Sequence, residues 1–439
     1  MGMPELLSPA GSFEKLRAAL LYGADAVYLA GNMFGMRAAA ANFTDEELAE
    51  AVAYTHARGK KVYLTLNTMP REYEYDALKS YLTRIGNIGL DAFIIADIGV
   101  LGLVREMLPT AEIPISTQTS CVSAASAKMW HALGAKRVVL ARELTMEEVM
   151  RIRDNLPSEV ELECFIHGSM CVSYSGRCLL SNHFTGRDGN RGMCAQPCRW
   201  NYVITEEKRP EMPLPIEQTE HGTFIMSSRD MCMIEHIPEL MKSGVDSFKI
   251  EGRMKSAYYT AVVTNAYRMA IDAYTKDPEH YAYNPLWLRE LESVSHREYA
   301  TGYWFDHAIE NAQTVTDMGY LREKAYLAVV TDYDPETGIA QFIQRNKVIS
   351  GCDAEMISPG SVGRALVVRD MKNEDGEPIE SAPHPFMKFS MPVPFAVHEG
   401  DILRAGCRGG EKLYEHQKDR THGKRRTGRC HLGRLCVPL

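Results

Sequence analysis

Four cysteines, Cys171, Cys178, Cys194 and Cys198, lie close together in one glycine-rich stretch of the sequence. Their spacing is C-x6-C-x15-C-x3-C, and sets of four thiolates bind either zinc or an iron–sulfur cluster. Zinc ribbons usually contain C-x2-C pairs, which these four cysteines do not form, so the spacing favours a cluster over zinc. The glycines of the stretch, which let the backbone pass close to a bound group, are Gly168, Gly176, Gly186, Gly189 and Gly192.

The same cysteines have a second interpretation, as small buried hydrophobic side chains, which free cysteine often is. Four of them within 28 residues of glycine-rich sequence make this the weaker interpretation. Cys232, in Met231-Cys232-Met233, is a reserve ligand, since a core helix would account for it equally well. The remaining cysteines are interpreted as structural or incidental: Cys121, Cys164, Cys352, Cys407, Cys430 and Cys436.

A recurring phrase predicts the elements that must position these cysteines. Each copy has a glycine that suits a helix C-cap, followed by an apolar run that suits a short buried strand. The copies span residues 23–29, 89–95, 134–140 and 244–250. Further strand-like runs span residues 4–7, 61–66, 113–117 and 161–165. Eight buried strands alternating with helices predict an α/β fold, a (β/α)8 TIM-like barrel.

In such a barrel the chemistry takes place where the strands end. No G-x-G-x-x-G follows the first strand, where the sequence is Ser8-Pro9-Ala10-Gly11-Ser12, so a dinucleotide fold loses support. The polar residues just past the predicted strand ends are Ser8, Asn67, Asp97, Gln118, Arg142, Glu143, His167, Glu251 and Arg253.

Two segments interrupt the alternation and predict the domain organisation. The barrel should span 1–285 and carry a cysteine-rich insertion, 168–225, after its seventh strand, because ordinary loops in such folds have roughly 2–6 residues. A helical connector, 286–323, should lead to a small antiparallel β-barrel domain, 324–410, with alternating apolar runs and turn sequences. The basic tail, 411–439, suits an electrostatic arm for RNA or a disordered terminus.

Length and composition limit the possible classes of protein. The 439 residues exceed what one hydrophobic core usually organises, and 45% hydrophobic with 24% charged residues is typical of globular domains. The net charge of −8 means that a nucleic acid would need a local basic surface. Eleven cysteines cannot all pair, and the first 20 residues, which include Glu5, Glu14, Lys15 and Arg17, have no signal-peptide core or cleavage site. A reducing, cytoplasmic location is therefore expected. No membrane association is expected, since Asp97 interrupts the most apolar run.

Residues 163–171, ECFIHGSMC, and 176–181, GRCLLS, resemble the signature of the collagenase-like peptidases, family 32 among the peptidases of unknown mechanism. Further segments are similar to this family at residues 7–11, 192–200, 227–230 and 249–253. The C-terminal β domain also resembles the accessory domain of the family. The resemblance therefore covers nearly everything up to about residue 410.

This resemblance implies one of two activities. Older assignments in the family imply a collagen-degrading peptidase, while others imply hydroxylation of RNA or quinones with a [4Fe–4S] cluster held by four cysteines. One barrel with one small β domain most resembles the branch that forms 5-hydroxyuridine at the tRNA wobble position. That branch implies tRNA as a partner, prephenate as a small anionic co-substrate and a possible electron-donor protein.

Proteolytic machinery is not visible in the sequence. Neither H-E-x-x-H nor G-x-S-x-G occurs, and strand alternation would turn Cys164 and His167 to opposite faces. The first hypothesis is therefore tRNA hydroxylation. The alternatives are a peptidase of the same family and a zinc-bearing RNA-binding module without catalysis.

Candidate site residues follow from their side-chain chemistry. Carboxylates and imidazoles can transfer protons, and guanidinium groups bind carboxylates or phosphates in a bidentate manner. The candidates for proton transfer are Glu163, His167 and Glu251, and those for anion binding are Arg142, Arg177 and Arg253. For the arginines, salt bridges within the rim are the alternative, and for the histidine a structural hydrogen bond beside the glycine turn.

Overall fold

The computed structural model describes residues 2–36, 42–171, 173–200, 227–305 and 324–406, together with three short strands. Those strands are Gln218–Thr219, Gly222–Thr223 and Gln313–Thr314. The first two pair with each other, and the third pairs with Ser227–Ser228. The boundary between two compact units falls at residue 324, with residues 357–363 belonging to the first unit. The predicted basic tail, 411–439, and residues 201–217 of the insertion lie outside the described residues.

Eight parallel strands form the centre of the first unit. They are β1 (Glu5–Pro9), β2 (Ala26–Leu29), β3 (Lys61–Leu66), β4 (Ala92–Ile95), β5 (Pro114–Ile115), β6 (Arg137–Val139), β7 (Glu161–Ser169) and β8 (Ser247–Ile250). Each strand pairs with the next, and β8 pairs with both β7 and β1, so the sheet closes on itself. The predicted TIM-like barrel and its eight strands are confirmed.

Helices separate the strands and cover the barrel. They are α1 (Phe13–Leu21), α2 (Asp45–His56), α3 (Tyr75–Ile85), α4 (Ile98–Met107), α5 (Ala124–Ala132), α6 (Met146–Asp154), α7 (Leu180–Thr185), α8 (Ile237–Lys242), α9 (Ala257–Lys276) and α10 (Pro285–Glu292). Capping boxes fix where two of them begin, Thr44 with Glu47 at α2 and Thr145 with Glu148 at α6. Single turns of 3-10 helix span Glu72–Glu74, Thr117–Thr119, Gly189–Arg191, Pro197–Arg199 and Ile234–His236. None of the described helices is long and apolar enough to cross a membrane.

The cysteine-rich insertion leaves β7 and returns beside it. The short strand Asp230–Cys232 pairs antiparallel with the end of β7, with Asp230 opposite Ser169 and Cys232 opposite His167. Tyr299–Ala300 then pairs in parallel with that returning strand. Two strands that the sequence did not predict therefore extend the barrel sheet at this edge.

A β-bulge interrupts β7 near its carboxyl end. Lys249 of β8 lies opposite Phe165, but the next residue, Ile250, lies opposite His167, so β7 has one extra residue there. A bulge of this kind redirects the side chains that follow it. Phe165 faces the barrel interior, whereas His167 packs against the aromatic rings of Tyr259 and Tyr267 on α9.

The second unit is an antiparallel sheet of six strands. They are β9 (Tyr326–Asp334), β10 (Ile339–Gln344), β11 (Asp353–Ile357), β12 (Arg364–Val367), β13 (Lys388–Pro392) and β14 (Ile402–Ala405), in the order β12-β11-β14-β9-β10-β13. Val348–Ile349 pairs separately with Ser381–Ala382. Asp334 shapes the first turn by accepting hydrogen bonds from Glu336 N and Thr337 Oγ1. The predicted C-terminal antiparallel β domain is confirmed.

Candidate active site

A cavity of about 520 Å³, which includes space open to solvent, lies at the carboxyl ends of the barrel strands. We call it the mouth cavity. It is lined by Tyr28, Met36, Thr65, Asn67, Ile94, Ser116, Thr117, Gln118, Arg142, Phe165, Lys249, Glu251 and Arg253. Of the polar residues predicted at the strand ends, Asn67, Gln118, Arg142, Glu251 and Arg253 therefore meet around one space.

The charged groups that line the mouth cavity are mostly cationic. Arg253 is buried and donates a hydrogen bond from Nη1 to Thr65 Oγ1 at 3.0 Å. Arg142 donates to the carbonyl of Ser169 at 2.8 Å, with its guanidinium over the ring of Phe165. With Lys249, these arginines give three cations against one lining carboxylate, Glu251. This arrangement suits a small anionic ligand.

Glu251 lies at the end of β8, where two tyrosines hold it. The hydroxyl of Tyr28 donates to Glu251 Oε2 at 3.4 Å and to the carbonyl of Ile250 at 3.0 Å. The hydroxyl of Tyr259 donates to the backbone carbonyl of Glu251 at 3.0 Å. The carboxylate is thus positioned at the cavity wall, where it can accept a proton from a bound molecule.

Glu163 lies beneath the mouth cavity and does not line it. Its carboxylate is buried and contacts Lys249 Nζ at 2.6 Å and Arg137 Nη1 at 3.1 Å. Burial favours the protonated form, but the charges of Lys249 and Arg137 outweigh it and hold the pKa of Glu163 below its usual value. Glu163 is therefore an ionised group that positions Lys249.

His167 lies on the outer face of the barrel and does not line the mouth cavity. The rings of Tyr259, Tyr267 and Tyr299 surround it, and the Tyr267 hydroxyl lies 3.4 Å from Nδ1. Burial lowers the pKa of His167 to about 3, so the imidazole is neutral near pH 7. The sequence placed this side chain at the mouth because it could not reveal the bulge in β7.

All four predicted cysteine ligands line a second cavity, which we call the cysteine cavity. It encloses about 1130 Å³, including open solvent. Cys171 is exposed, and Cys178, Cys194 and Cys198 are half-buried. The backbone N–H of Gln196 donates to Cys194 Sγ at 3.3 Å. Four thiols around one space, one of them already accepting an N–H bond, form a donor set of the kind that an iron–sulfur cluster uses.

Four cysteine thiolates are a ligand set that both zinc and an iron–sulfur cluster accept. Among the residues that the structure describes, no three His, Cys, Asp or Glu side chains are grouped to hold one metal ion. Zinc needs four ligands meeting at one point, with sulfur atoms at about 2.3 Å. A four-iron cluster instead takes each thiolate at a separate corner.

Two further cysteines, Cys164 and Cys232, are buried thiols. Cys232, the reserve ligand, does not line the cysteine cavity, and burial raises its pKa to about 12. Burial also raises the pKa of the Cys164 thiol well above its ordinary value. Because the thiolate is the nucleophilic form, neither cysteine is poised for attack near neutral pH.

The insertion is held against the barrel by the loops that follow β5 and β6. Ser175 donates its backbone N–H to Glu143 at 3.0 Å, and Ser120 donates its hydroxyl to the carbonyl of Ser175. Gly176 has φ +78°, and a Cβ atom there would overlap the carbonyl oxygen of Gln118. Arg177 is exposed, donates to Ser120 Oγ at 3.3 Å and lines neither cavity.

A buried ion pair that the sequence did not predict places Arg297 at the wall of the cysteine cavity. Arg297 lies 2.7 Å from Asp230 and also donates to the carbonyl of Met170 at 3.2 Å. Burial would raise the pKa of Asp230, but the Arg297 charge outweighs it and holds that pKa low. The resemblance had marked Asp230, but no local signal identifies its partner, which lies 67 residues away.

The mouth cavity and the cysteine cavity share three lining residues, Met36, Gln118 and Arg142. They are therefore neighbours, separated by side chains that belong to both. A molecule in the mouth cavity would lie next to a group bound by the cysteines, with the Arg142 guanidinium between them.

Comparison with protein families agrees with this architecture. The model for peptidase family U32 matches residues 11–314, and the model for the U32 C-terminal domain matches residues 322–404. The chain belongs to peptidase family U32. The family models thus cover the barrel from α1 onward, with its cysteine cavity, and the antiparallel β domain up to residue 404.

Several U32 relatives match most of this chain. It is 36% identical to "tRNA hydroxylation protein P1" of Bacillus subtilis (strain 168), over 92% of this chain and 95% of that protein. It is 34% identical to "tRNA hydroxylation protein P" of Escherichia coli (strain K12), over 90% and 94%. It is also 33% identical to "Collagenase" of Porphyromonas gingivalis (strain ATCC BAA-308 / W83), over 77% and 82%.

Proposed function

We propose that this U32 chain hydroxylates tRNA, forming 5-hydroxyuridine at the wobble position with a [4Fe–4S] cluster held by Cys171, Cys178, Cys194 and Cys198. One observation carries the proposal: the cavity lined by these four cysteines adjoins a cationic mouth cavity through Arg142. Extensive similarity to proteins named for tRNA hydroxylation supports the choice of RNA as substrate.

Each cavity has its own part in this proposal. When bound, the cluster supplies one-electron redox chemistry in the cysteine cavity. The mouth cavity binds a small anionic co-substrate, with prephenate as the candidate, through Arg142 and Arg253. Arg253 is suited to this role because Thr65 fixes its guanidinium in a buried position. Arg177, the third arginine candidate, lines neither cavity and has no part in this binding.

Glu251 is the group that accepts a proton in the mouth cavity. Its Oε2 atom lies at the cavity wall beside the Tyr28 hydroxyl, whereas Glu163 is committed to Lys249 and Arg137. His167 is excluded by its position on the outer face of the barrel. A target base must leave its stack to reach this region, which a nucleotide in a single-stranded loop does at low energetic cost.

Nucleoside analysis of a deletion strain tests the proposal. The strain should lack 5-hydroxyuridine in its tRNA, and the wild-type gene should restore it. Cys194→Ala should fail to restore it, whereas Cys352→Ala, which removes a half-buried thiol of the β domain, should succeed. An unchanged nucleoside profile in the deletion strain would contradict the proposed function.

The same proteins test the alternatives that the sequence left open. A peptidase, as in the Porphyromonas relative's name, should digest denatured collagen and should continue to do so after Cys194→Ala. A zinc-bearing binding module should contain one zinc ion without sulfide and should leave the nucleosides unchanged. If an electron-donor protein takes part, activity in cell extract should exceed that of the pure protein and recover when extract is added.

A further inference from the structure

Large apolar side chains are exposed on the cysteine-rich insertion. Leu179 is 70% exposed and Phe184 is 50% exposed, and Tyr174 and Trp200 are exposed at 45% and 42%. Three of these four carry aromatic rings. All four lie on one 33-residue segment, 168–200, whereas ordinary surfaces scatter such side chains singly.

The same segment is cationic, although the chain as a whole is acidic. Residues 168–200 contain four arginines and one acid, Asp188, in a chain whose net charge is −8. Arg191 is engaged in an ion pair with Glu74 at 2.5 Å. Arg177 and Arg187 remain exposed. The local charge is therefore complementary to a polyanion, although the net charge of the whole chain is negative.

We propose that this face, defined by Tyr174, Arg177, Leu179, Phe184, Arg187 and Trp200, binds a single-stranded loop of RNA. The inference rests on the proposed function and deepens it, because it assigns the surface that presents the RNA to the cavities. Proteins that bind single strands combine aromatic side chains, on which bases stack, with cations that track the phosphates. The insertion carries both kinds of group.

The position of the face explains how a base reaches the chemistry. Tyr174 is exposed and also lines the cysteine cavity, together with Cys171 and Cys178. Tyr174 therefore links the exposed side chains of the insertion to the cavity wall. A duplex would not use these rings, since its bases are stacked on one another and do not offer free faces.

Direct binding tests this inference without relying on catalysis. The probes are a fluorescently labelled RNA hairpin with an unpaired, uridine-containing loop and a fully paired duplex of equal length. Phe184→Ala should weaken hairpin binding about tenfold, the effect of losing one stacked base. The logarithm of the binding constant falls linearly with the logarithm of the salt concentration. Arg187→Ala should make this slope shallower by about 0.7, the value for one phosphate contact of a single strand.

Two exposed residues elsewhere provide matched controls. Phe386→Ala removes a ring that is 69% exposed in the β domain, and Arg151→Ala removes an arginine with a side chain 73% exposed on α6. Both should bind the hairpin as the wild type does. Thermal unfolding of all four variants should match the wild type, because each altered side chain is exposed.

The inference would be overturned if Phe184→Ala and Arg187→Ala bind the hairpin as tightly as the wild type does. The same result is expected if the face binds an electron-donor protein and not RNA. Duplex binding as tight as hairpin binding would overturn it too. The proposed function is judged separately, by nucleosides in the complemented strain. If the wild-type gene restores 5-hydroxyuridine but the two variants bind the hairpin as the wild type does, the face is refuted and the proposed function is not. If the two variants bind the hairpin more weakly but the wild-type gene does not restore the nucleoside, the function is refuted and the face is not.

Discussion

The ammonium group of Lys249 lies 2.6 Å from the carboxylate of Glu163, directly beneath the mouth cavity. Arg137 approaches the same carboxylate from the other side at 3.1 Å and reaches Glu5 at 2.6 Å. The result is a line of alternating charges through the barrel interior. Because this line ends at a cavity wall, the core of the barrel fixes one of the cations that line the mouth cavity.

Glu163→Gln should destabilise the barrel strongly. The change leaves Lys249 and Arg137 as buried cations without their shared counter-charge, and breaking such pairs costs about 3–5 kcal/mol. Urea unfolding followed by tryptophan fluorescence measures the loss. Glu147→Gln, which breaks an exposed pair with Arg151, should cost less than about 1 kcal/mol. Equal costs for the two variants would contradict this account.

Gly176→Ala should displace the insertion from the barrel. The added Cβ would overlap the carbonyl oxygen of Gln118, and Gly176 also has a positive φ that alanine rarely adopts. We expect reduced iron content with the barrel still folded, checked by metal analysis and circular dichroism. Gly186→Ala is the matched control, since Gly186 also has a positive φ but nothing lies within 4 Å of its Cβ position. If both variants lose iron equally, the contact with Gln118 is not the cause.

Anaerobically purified protein should contain about four iron and four sulfide per chain. Cys194→Ala should lose most of both, because it removes a ligand that lines the cysteine cavity. Cys352→Ala should retain them, since this thiol belongs to the second unit. Iron, acid-labile sulfide and zinc are measured on the same samples. One zinc per chain without sulfide would contradict the cluster.

His167→Phe should make the protein less sensitive to acid. An unfolded histidine binds a proton below about pH 6.5, whereas the folded His167 stays neutral until about pH 3. Between these values the unfolded state binds more protons, so wild-type stability falls by about 1.4 kcal/mol for each pH unit of acidification. The variant should lack this contribution. Urea unfolding midpoints of both proteins, measured from about pH 6 to about pH 4, show this contribution. If the midpoints of wild type and variant change with pH in parallel, His167 does not cause the acid sensitivity.

Barrel topology was predictable because its signals are local. Each strand is a short apolar run next to a helix cap, and parallel strands buried on both faces leave few alternative folds. The same rule brought Asn67, Gln118, Arg142, Glu251 and Arg253 to one cavity, since parallel strands end on one side of the sheet. The spacing of the four cysteines also predicted that they would share a space.

What was missed depends on contacts between distant parts of the chain. One extra residue in β7 turns His167 outward, and the residues next to His167 in the sequence do not indicate that bulge. Glu163 occupies an inward position but lies too far from the strand end to reach the mouth, where Lys249 lies instead. The pair of Asp230 with Arg297 joins two segments that only the folded chain brings together.

The pairing of Asp230 with Ser169 means that the chain leaves the barrel and re-enters it at nearly the same point. An excursion whose ends are already joined can change length at small entropic cost, because closure depends only weakly on loop length. The segment between these residues can therefore be shortened, lengthened or exchanged between relatives without opening the barrel.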